Sequence, residues 1–106
     1  MPKYLLDVSY TLDGVKGVVA KGGSAREAAA RDAAKSVGGS LDSFYFAFGG
    51  TDVFTIADLP SNEAAAALAL AVTAGGGAQV KTIVLLSPAE IDAATKTNVL
   101  YKPPGT

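Results

Sequence analysis

Two alternating runs of residues around a glycine pair constrain the fold of this chain most strongly. The stretch LDSFYFAFGGTDVFTIADL alternates between two unlike sets of side chains on both sides of Gly49-Gly50. A period of two residues is typical of β-strands, and glycine adopts the backbone angles that tight turns need. We therefore predict a hairpin of strands 41–48 and 52–59, joined by the three-residue loop Gly49–Thr51.

The length of this loop decides which side chains share a face of the hairpin, because a shift of one residue turns every side chain over. The predicted cross-strand pairs are Phe48 with Asp52, Phe46 with Phe54, Phe44 with Ile56 and Tyr45 with Thr55. A two-residue loop would instead pair Phe46 with Val53 and mix the two sets of side chains. The cleaner segregation of large side chains favours the three-residue loop.

The rest of the chain alternates between strand and helix patterns. The predicted elements that flank the hairpin are strand 3–10, a helical region 11–38 broken at Gly22-Gly23, helix 61–75, strand 79–86, a short helix after Ser87 and an extended tail 99–106. Their order is that of the ferredoxin-like βαββαβ fold, of the α+β class. We predict one domain over residues 1–106, with a four-stranded antiparallel sheet in strand order 4-1-3-2, both main helices on one face and a short C-terminal helix.

The two faces of this sheet are predicted to differ in character. The helix-covered face is predicted to hold Leu6, Val8, Tyr10, Phe44, Phe46, Phe48, Phe54, Ile56, Val80, Val84 and Leu86. Large side chains suit that face because the helices opposite are rich in alanine. The other face mixes Asp7, Tyr45, Thr55 and Lys81 with apolar residues. It could form the floor of a cavity between two subunits packed sheet to sheet, or a partly hydrated dimer interface.

Composition removes several functional classes. The chain has no His and no Cys, which excludes histidine bases, thiolate nucleophiles and the commonest transition-metal and haem ligands. The net charge of -1 and the lack of a basic run argue against nucleic-acid binding. The longest apolar run, Ala64–Val72, is far shorter than the roughly 20 residues that cross a bilayer. We expect a cytoplasmic protein with no nucleic-acid partner, no membrane association, no metal and no cofactor.

Several segments together resemble one family over nearly the whole chain. They are the start MPKYLLDVSYTLDGVKG, the helix start GGSAREAA, the stretch SFYFAFGGTDVFTIADLP, the alanine-rich second helix and the end YKPPG. Their order resembles the GYD domain family, which is similar to the dimeric α/β-barrel superfamily. The resemblance implies subunits that pair ferredoxin-like sheets face to face, and a biochemical role that is not established.

The family takes its name from a Gly-Tyr-Asp triplet after the second strand. Gly50-Thr51-Asp52 occupies that position here, so Gly50 and Asp52 match while Thr51 replaces the tyrosine. Arg26 matches the arginine that is typical of the family's helix start. Related haem-degrading monooxygenases, cyclases and muconolactone-isomerase-like enzymes often depend on a histidine, and its absence here argues against transferring their chemistry.

Asp7, Tyr45, Thr55 and Lys81 form the best candidate cluster for chemistry. In the predicted strand order Asp7 lies between Lys81 and Thr55, with Tyr45 one strand beyond. Lys81 would keep the Asp7 carboxylate ionised so that it could act as a base, and the Tyr45 phenol could donate to an oxyanion. The alternative is an ion pair with neighbouring hydroxyl groups at a subunit interface, which is the commoner arrangement.

Arg26, Gly50, Asp52 and Thr55 are candidates for ligand binding. Arg26 is predicted on the apolar side of its helix, where its guanidinium could bind a carboxylate or phosphate, or pair with Asp52. The segment Gly49–Asp52 is mainly a turn, and it could also be a loop at the mouth of a cavity.

The sequence favours a small homo-oligomeric binding or structural module of the GYD type, a dimer or larger, which could take up a small hydrophobic ligand. The alternative is a His-free isomerase, cyclase or cofactor-independent oxygenase that acts on a hydrophobic carbonyl compound in a cavity between subunits. Asp7, Tyr45 and Lys81 would then be catalytic, and Arg26 could assist them.

Overall fold

The chain folds into a four-stranded antiparallel sheet whose order confirms the ferredoxin-like, α+β prediction. The computed structural model describes residues 1–47 and 49–106. In chain order the elements are β1 (Lys3–Tyr10), α1 (Leu12–Lys21), α2 (Gly23–Ser36), β2 (Ser40–Phe46), β3 (Val53–Asp58), α3 (Asn62–Ala74), β4 (Ala78–Leu85) and α4 (Pro88–Thr95). The strands lie in the order β2-β3-β1-β4, which is the predicted order.

The helix ends follow from local chemistry. Gly22 separates α1 from α2 with a φ of 88°, a conformation that glycine adopts without strain. The Ser61 hydroxyl caps α3 by accepting the Ala64 N–H at 3.1 Å. Ser87 and Glu90 cap each other's backbone at the start of α4. The Ser87 backbone N–H, which donates to the Glu90 carboxylate, holds the pKa of Glu90 below its usual value.

The core lies between the sheet and the helices on one of its faces. Its buried residues are Tyr4, Leu6, Ala34, Leu41, Ala57, Leu59, Ala65 and Leu68. The Tyr4 hydroxyl donates to Asn62 Oδ1 at 2.6 Å, which ties β1 to the start of α3. Helix α2 packs on β2 and α3 packs on β4, so the two long helices cover opposite halves of the sheet.

The hairpin pairs one residue out of the predicted register. The observed pairs are Phe46 with Val53, Tyr45 with Phe54, Phe44 with Thr55 and Ser43 with Ile56. The Ala47 N–H donates to the Asp52 carbonyl oxygen at 2.9 Å, in the same register. The predicted pairs are therefore wrong, and the disfavoured alternative, with Phe46 opposite Val53, is the one that forms. Phe48 lies outside the described residues.

The pairing of β3 with β1 explains which of its sides is buried. Opposite residues in an antiparallel sheet point to the same side, and Tyr4 and Leu6, which face the helices, lie opposite Ala57 and Thr55. The small Ala57 leaves room beside the bulky Tyr4. Five residues of β3 therefore lie on the side opposite to the predicted one. Val53, Thr55 and Ala57 face the helices and are buried, whereas Phe54 and Ile56 lie on the other side.

A β-bulge places two residues of β2 on the helix-covered side that a regular strand would place on opposite sides. The register shifts between Leu41 and Ser43, and the extra residue is Asp42. Leu41 and Phe44 consequently both lie on the helix-covered side, where they line the same cavity. The Asp42 carboxylate pairs with the Lys3 ammonium of β1.

Residues 87–106, here called the C-terminal arm, are exposed along their whole length. Ile91 is 46 % exposed, Tyr101 69 % and Leu100 97 %. The molecule is elongated, with extents of 57 × 33 × 22 Å. Its apolar side chains are thus available to a neighbouring molecule.

Candidate functional site

The side of the sheet that the helices leave uncovered, here called the open face, carries most of the predicted chemical cluster. Its residues include Leu5, Asp7, Ser9, Tyr45, Phe54, Ile56, Lys81, Ile83 and Leu85, with Lys3, Ser43, Asp58 and Gln79 toward its edges. Tyr45 is 70 % exposed, Phe54 40 % and Ile83 38 %. Contiguous exposed apolar side chains rimmed by polar groups mark interaction surfaces in soluble proteins. The open face has this character.

One row of residues crosses the open face from strand to strand. Tyr45 lies opposite Phe54, Phe54 opposite Asp7, and Asp7 opposite Lys81. The structure therefore brings Asp7, Tyr45 and Lys81 into one row. Opposite residues have Cβ atoms roughly 5 Å apart, so Asp7 is adjacent to Lys81, whereas Tyr45 lies two strands from Asp7. Phe54, which sequence reasoning placed in the core, stands between them.

Thr55 lies on the helix-covered side of the sheet, away from this row. Its side chain is buried, and its hydroxyl donates to the Ser43 carbonyl oxygen at 2.6 Å. The predicted position of Thr55 beside Asp7 is wrong, because the observed register turns Thr55 inward. Thr55 therefore cannot contact a molecule bound on the open face.

A turn residue, not a lysine, holds the Asp7 carboxylate. Thr51 Oγ1 donates to Asp7 Oδ1 at 2.7 Å. In the part of the chain that the structure describes, ion pairs form at Lys3 and Arg31, and none joins Asp7 to Lys81. A polar depression of about 260 Å³ surrounds the carboxylate. Its lining is Asp7, Ser9, Thr51, Gln79, Val80 and Lys81.

The turn Gly50-Thr51-Asp52 is docked on the end of β1 through all three of its residues. Besides the bond from Thr51, hydrogen bonds run from Ser9 Oγ to the Gly50 carbonyl (3.2 Å), from the Tyr10 N–H to Asp52 Oδ2 (2.7 Å) and from the Asp52 N–H to the Val8 carbonyl (2.8 Å). The triplet thus fixes the hairpin turn against the central strand. Sequence reasoning missed Thr51, whose only signal was its place between the two matching residues of the triplet.

The docked triplet, with glycine first and aspartate last, occupies the position of the Gly-Tyr-Asp triplet after which the GYD domain family is named. The sequence model of the GYD domain matches residues 4–95 of the chain. The chain belongs to the GYD domain family. Comparisons of this GYD domain with curated proteins and with solved structures give no significant match. Residue roles in this GYD domain therefore have to come from its own geometry.

Lys3 bridges two carboxylates at the far end of the open face of the GYD domain. Its ammonium pairs with Asp42 and lies 3.0 Å from Asp58 Oδ1. Hydrogen bonds to Asp42 and then to Asp58 raise the pKa of Lys3, and the Lys3 ammonium lowers the pKa of Asp42. Both shifts move the pKa values of Lys3 and Asp42 further from neutral pH. This cluster is therefore an exposed ion-pair network and not a poised acid or base.

Arg26 lies on the opposite side of the sheet from Asp7. It is exposed on α2 and lines a cavity between the helices and the sheet. The predicted pair with Asp52 does not form, since the Asp52 carboxylate accepts the Tyr10 N–H. One small ligand cannot contact both Arg26 and the row that contains Asp7.

Residues 1–47 and 49–106 contain neither a cluster of metal ligands nor a membrane-spanning helix. No group of three or more carboxylates is placed to hold a metal ion there. No helix of that part of the chain has both the length and the apolar character needed to cross a bilayer.

Replacing Asp52 by Ala is expected to lower the free energy of unfolding by about 1–2 kcal/mol. The half-buried Tyr10 N–H would lose its charged acceptor, and the turn would lose one of its ties to β1. Urea unfolding followed by circular dichroism measures the change. Asp32→Ala is the matched control, because Asp32 is an exposed carboxylate on α2, and it should change stability by less than about 0.5 kcal/mol. Equal losses in both variants would contradict the role given to Asp52.

Proposed function

We propose that this GYD domain is a homo-oligomeric binding module whose subunits pair open face to open face. The observation that carries the proposal is the apolar surface of that face, centred on the exposed Phe54 and Ile83 and the half-buried Ile56. Burial of a large apolar side chain contributes roughly 1.5–3 kcal/mol, so covering this surface is strongly favourable. A second copy supplies a face of the same size and character.

The charges of the open face favour a second copy as the occupant. Asp7 and Lys81 are neighbours on adjacent strands. A two-fold axis near them would bring the partner's Lys81 towards Asp7, and the reverse contact would form at the same time. The Thr51 hydroxyl uses one oxygen of the Asp7 carboxylate, which leaves the other for the lysine. Such a pair inside an apolar interface would fix how the two sheets align.

A second candidate function is catalysis at the same interface, and the polar depression of about 260 Å³ around Asp7 favours it. A hydrophobic carbonyl compound held between two sheets would meet Asp7 as a base and Lys81 as a nearby cation. Tyr45 would donate a hydrogen bond to a developing oxyanion. Because Tyr45 lies two strands from Asp7 in one subunit, the substrate would have to span the row. Isomerisation, cyclisation and cofactor-independent oxygenation are the reactions in question.

Native mass spectrometry of gently purified protein, followed by denaturing release, tests the assembly and its contents. We expect a dimer or a larger homo-oligomer. A multimer of bare chains supports the binding module without a resident ligand. A releasable extra mass that disappears when the subunits are separated supports a ligand between the sheets. A monomer at micromolar concentration would contradict both candidate functions.

The Asp7→Asn variant separates the two candidate functions. If Asp7 mainly aligns the sheets, the variant should weaken assembly, because the partner's Lys81 would lose its anionic neighbour. If Asp7 is a base, the oligomer should persist while conversion of the released compound stops. Asp32→Asn, which makes the same change on an exposed helix surface, is the control for both readouts.

A further inference from the structure

The helix-covered side of the sheet is incompletely filled. A cavity of about 110 Å³, here called the inner cavity, lies between the sheet, α2 and α3. Its lining is mostly apolar, with Arg26 and Thr55 among its polar members, and includes Leu6, Val8 and Val53 from the sheet, Ala30 and Ala33 from α2, and Val72 from α3. An apolar cavity of about 150 Å³ in another protein stays dry and takes up benzene. The inner cavity is thus large enough for a short alkyl group.

The alanines of the two long helices explain why this space exists. Helix α2 packs on β2 and α3 on β4, so the helices stand apart over the two central strands. Ala29, Ala30 and Ala33 of α2 and Ala69 of α3 line the cavity between them. Methyl groups cannot reach across the gap that larger side chains would fill. The small side chains of α2 and α3 therefore leave the space between the separated helices unfilled.

The inner cavity adjoins a wider and more polar one. This outer cavity, of about 530 Å³, lies between α1 and the glycine-rich end of α3. Tyr10, Arg26, Val72 and Ala78 line both cavities, so one opens beside the other. The outer cavity contains two cations, Arg26 and Lys21, and one carboxylate, that of Asp13.

Arg26 stands at the boundary between the two cavities. Among the described residues it forms no ion pair, since the pairs found there involve Lys3 and Arg31. Its predicted partner, Asp52, is engaged by the Tyr10 N–H. A guanidinium next to an apolar chamber gains most from a planar anion, which it can bind with two parallel hydrogen bonds.

We propose that the two cavities together form a binding site for a small amphiphilic monocarboxylate. The alkyl part, of about four to six carbons by comparison with the benzene-sized cavity, occupies the inner cavity. The carboxylate pairs with Arg26 in the outer cavity, and Lys21 adds to the positive potential there. The carboxylate of Asp13 disfavours a dianion such as phosphate. This site lies on the opposite side of the sheet from the open face and does not depend on the proposed assembly.

Titration of the full chain with hexanoate, monitored by backbone amide NMR, tests the site. We expect saturable shifts that cluster at Ala30, Ala33 and Val72. The neutral 1-hexanol should bind about tenfold more weakly, because it lacks the charge that Arg26 pairs with. Shifts confined to the open face, or no saturable binding of hexanoate, would overturn the proposal. Inorganic phosphate that binds as tightly as hexanoate would overturn the choice of a monocarboxylate.

Variants separate the two halves of the proposed site. Arg26→Gln should weaken hexanoate binding about tenfold and leave 1-hexanol binding unchanged. Lys35→Gln is the control, because it removes the same charge from α2 at a residue that lines neither cavity. Wild-type affinity for hexanoate in Arg26→Gln, or an equal loss in Lys35→Gln, would overturn the role of Arg26.

Filling the inner cavity tests its occupation directly. Ala30→Leu should abolish the binding of both hexanoate and 1-hexanol. Ala29→Leu changes an exposed position at the rim of the cavity and is expected to fold, so it repeats the test if Ala30→Leu does not fold. Unchanged hexanoate affinity in a folded variant of either kind would place the alkyl group elsewhere and overturn the proposal.

Discussion

We expect the Phe54→Lys variant to be a monomer at concentrations where the unaltered domain is an oligomer. Phe54 lies in the central row of the open face, between Tyr45 and Asp7. In a two-fold interface each substitution occurs twice, so the variant would replace two buried aromatic rings by two ammonium groups, each of which loses its hydration beside an Asp7 carboxylate that already accepts from Thr51. Losing the apolar contact costs roughly 1.5–3 kcal/mol for each ring, and the desolvation of a buried ion pair can exceed the attraction that the pair gains. We expect the dissociation constant to rise by at least about 100-fold.

The fold of each subunit should survive this change, because Phe54 is already 40 % exposed in the single chain. Sedimentation velocity gives the mass of the assembly, and circular dichroism reports the fold. Val19→Lys is the matched control: Val19 is 81 % exposed on α1, away from the sheet. A Phe54→Lys variant that stays assembled would show that the open face is not the interface. Dissociation after removal of residues 97–106 would then point to the C-terminal arm.

The order of elements could be predicted from the sequence, and the sides of one strand could not. Local periodicity and helix caps such as Ser61 and Ser87 mark where elements begin, because their physics involves neighbours in sequence. The side to which Phe54 points depends on the register of β3 with β1 and on the bulge at Asp42. Both are long-range features. Aromatic size was therefore a poor guide to burial in this domain, where Phe54 lies on the side of the sheet that the helices leave uncovered.

Some features of the candidate sites could likewise be predicted from the sequence, and others could not. Strand order placed Asp7 next to Lys81, and that adjacency follows from pairing of β1 with β4. Thr55 was misplaced by the register, and the hydrogen bond from Thr51 to Asp7 depends on how the turn folds back over β1. The inner cavity could not be predicted, because the separation of α2 and α3 depends on how both helices pack on the sheet and not on the sequence of either helix alone. Its one sequence signal was an arginine on an alanine-rich helix face.

The largest effect on stability in the helical layer is expected from Gly14→Ala, which should lower the free energy of unfolding by about 2–3 kcal/mol. A Cβ atom on Gly14 would overlap the carbonyl oxygen of Gly77. This contact joins α1 to the turn before β4, where the Thr11 N–H donates to the Gly77 carbonyl at 3.0 Å. Backbone cannot move aside as the end of a flexible side chain can, so α1 would have to shift.

Gly17→Ala, one turn further along α1, should have the opposite sign. A Cβ atom there has no neighbour within 4 Å, and alanine favours a helix over glycine by about 0.8–1 kcal/mol. Thermal and urea unfolding of the two variants measure both changes. Because Gly14 and Gly77 line the outer cavity, a shift of α1 in Gly14→Ala should also weaken hexanoate binding. If both variants were equally stable, α1 would not pack against the turn at Gly77. The contact between Gly14 and Gly77 would then not form part of the wall of the outer cavity.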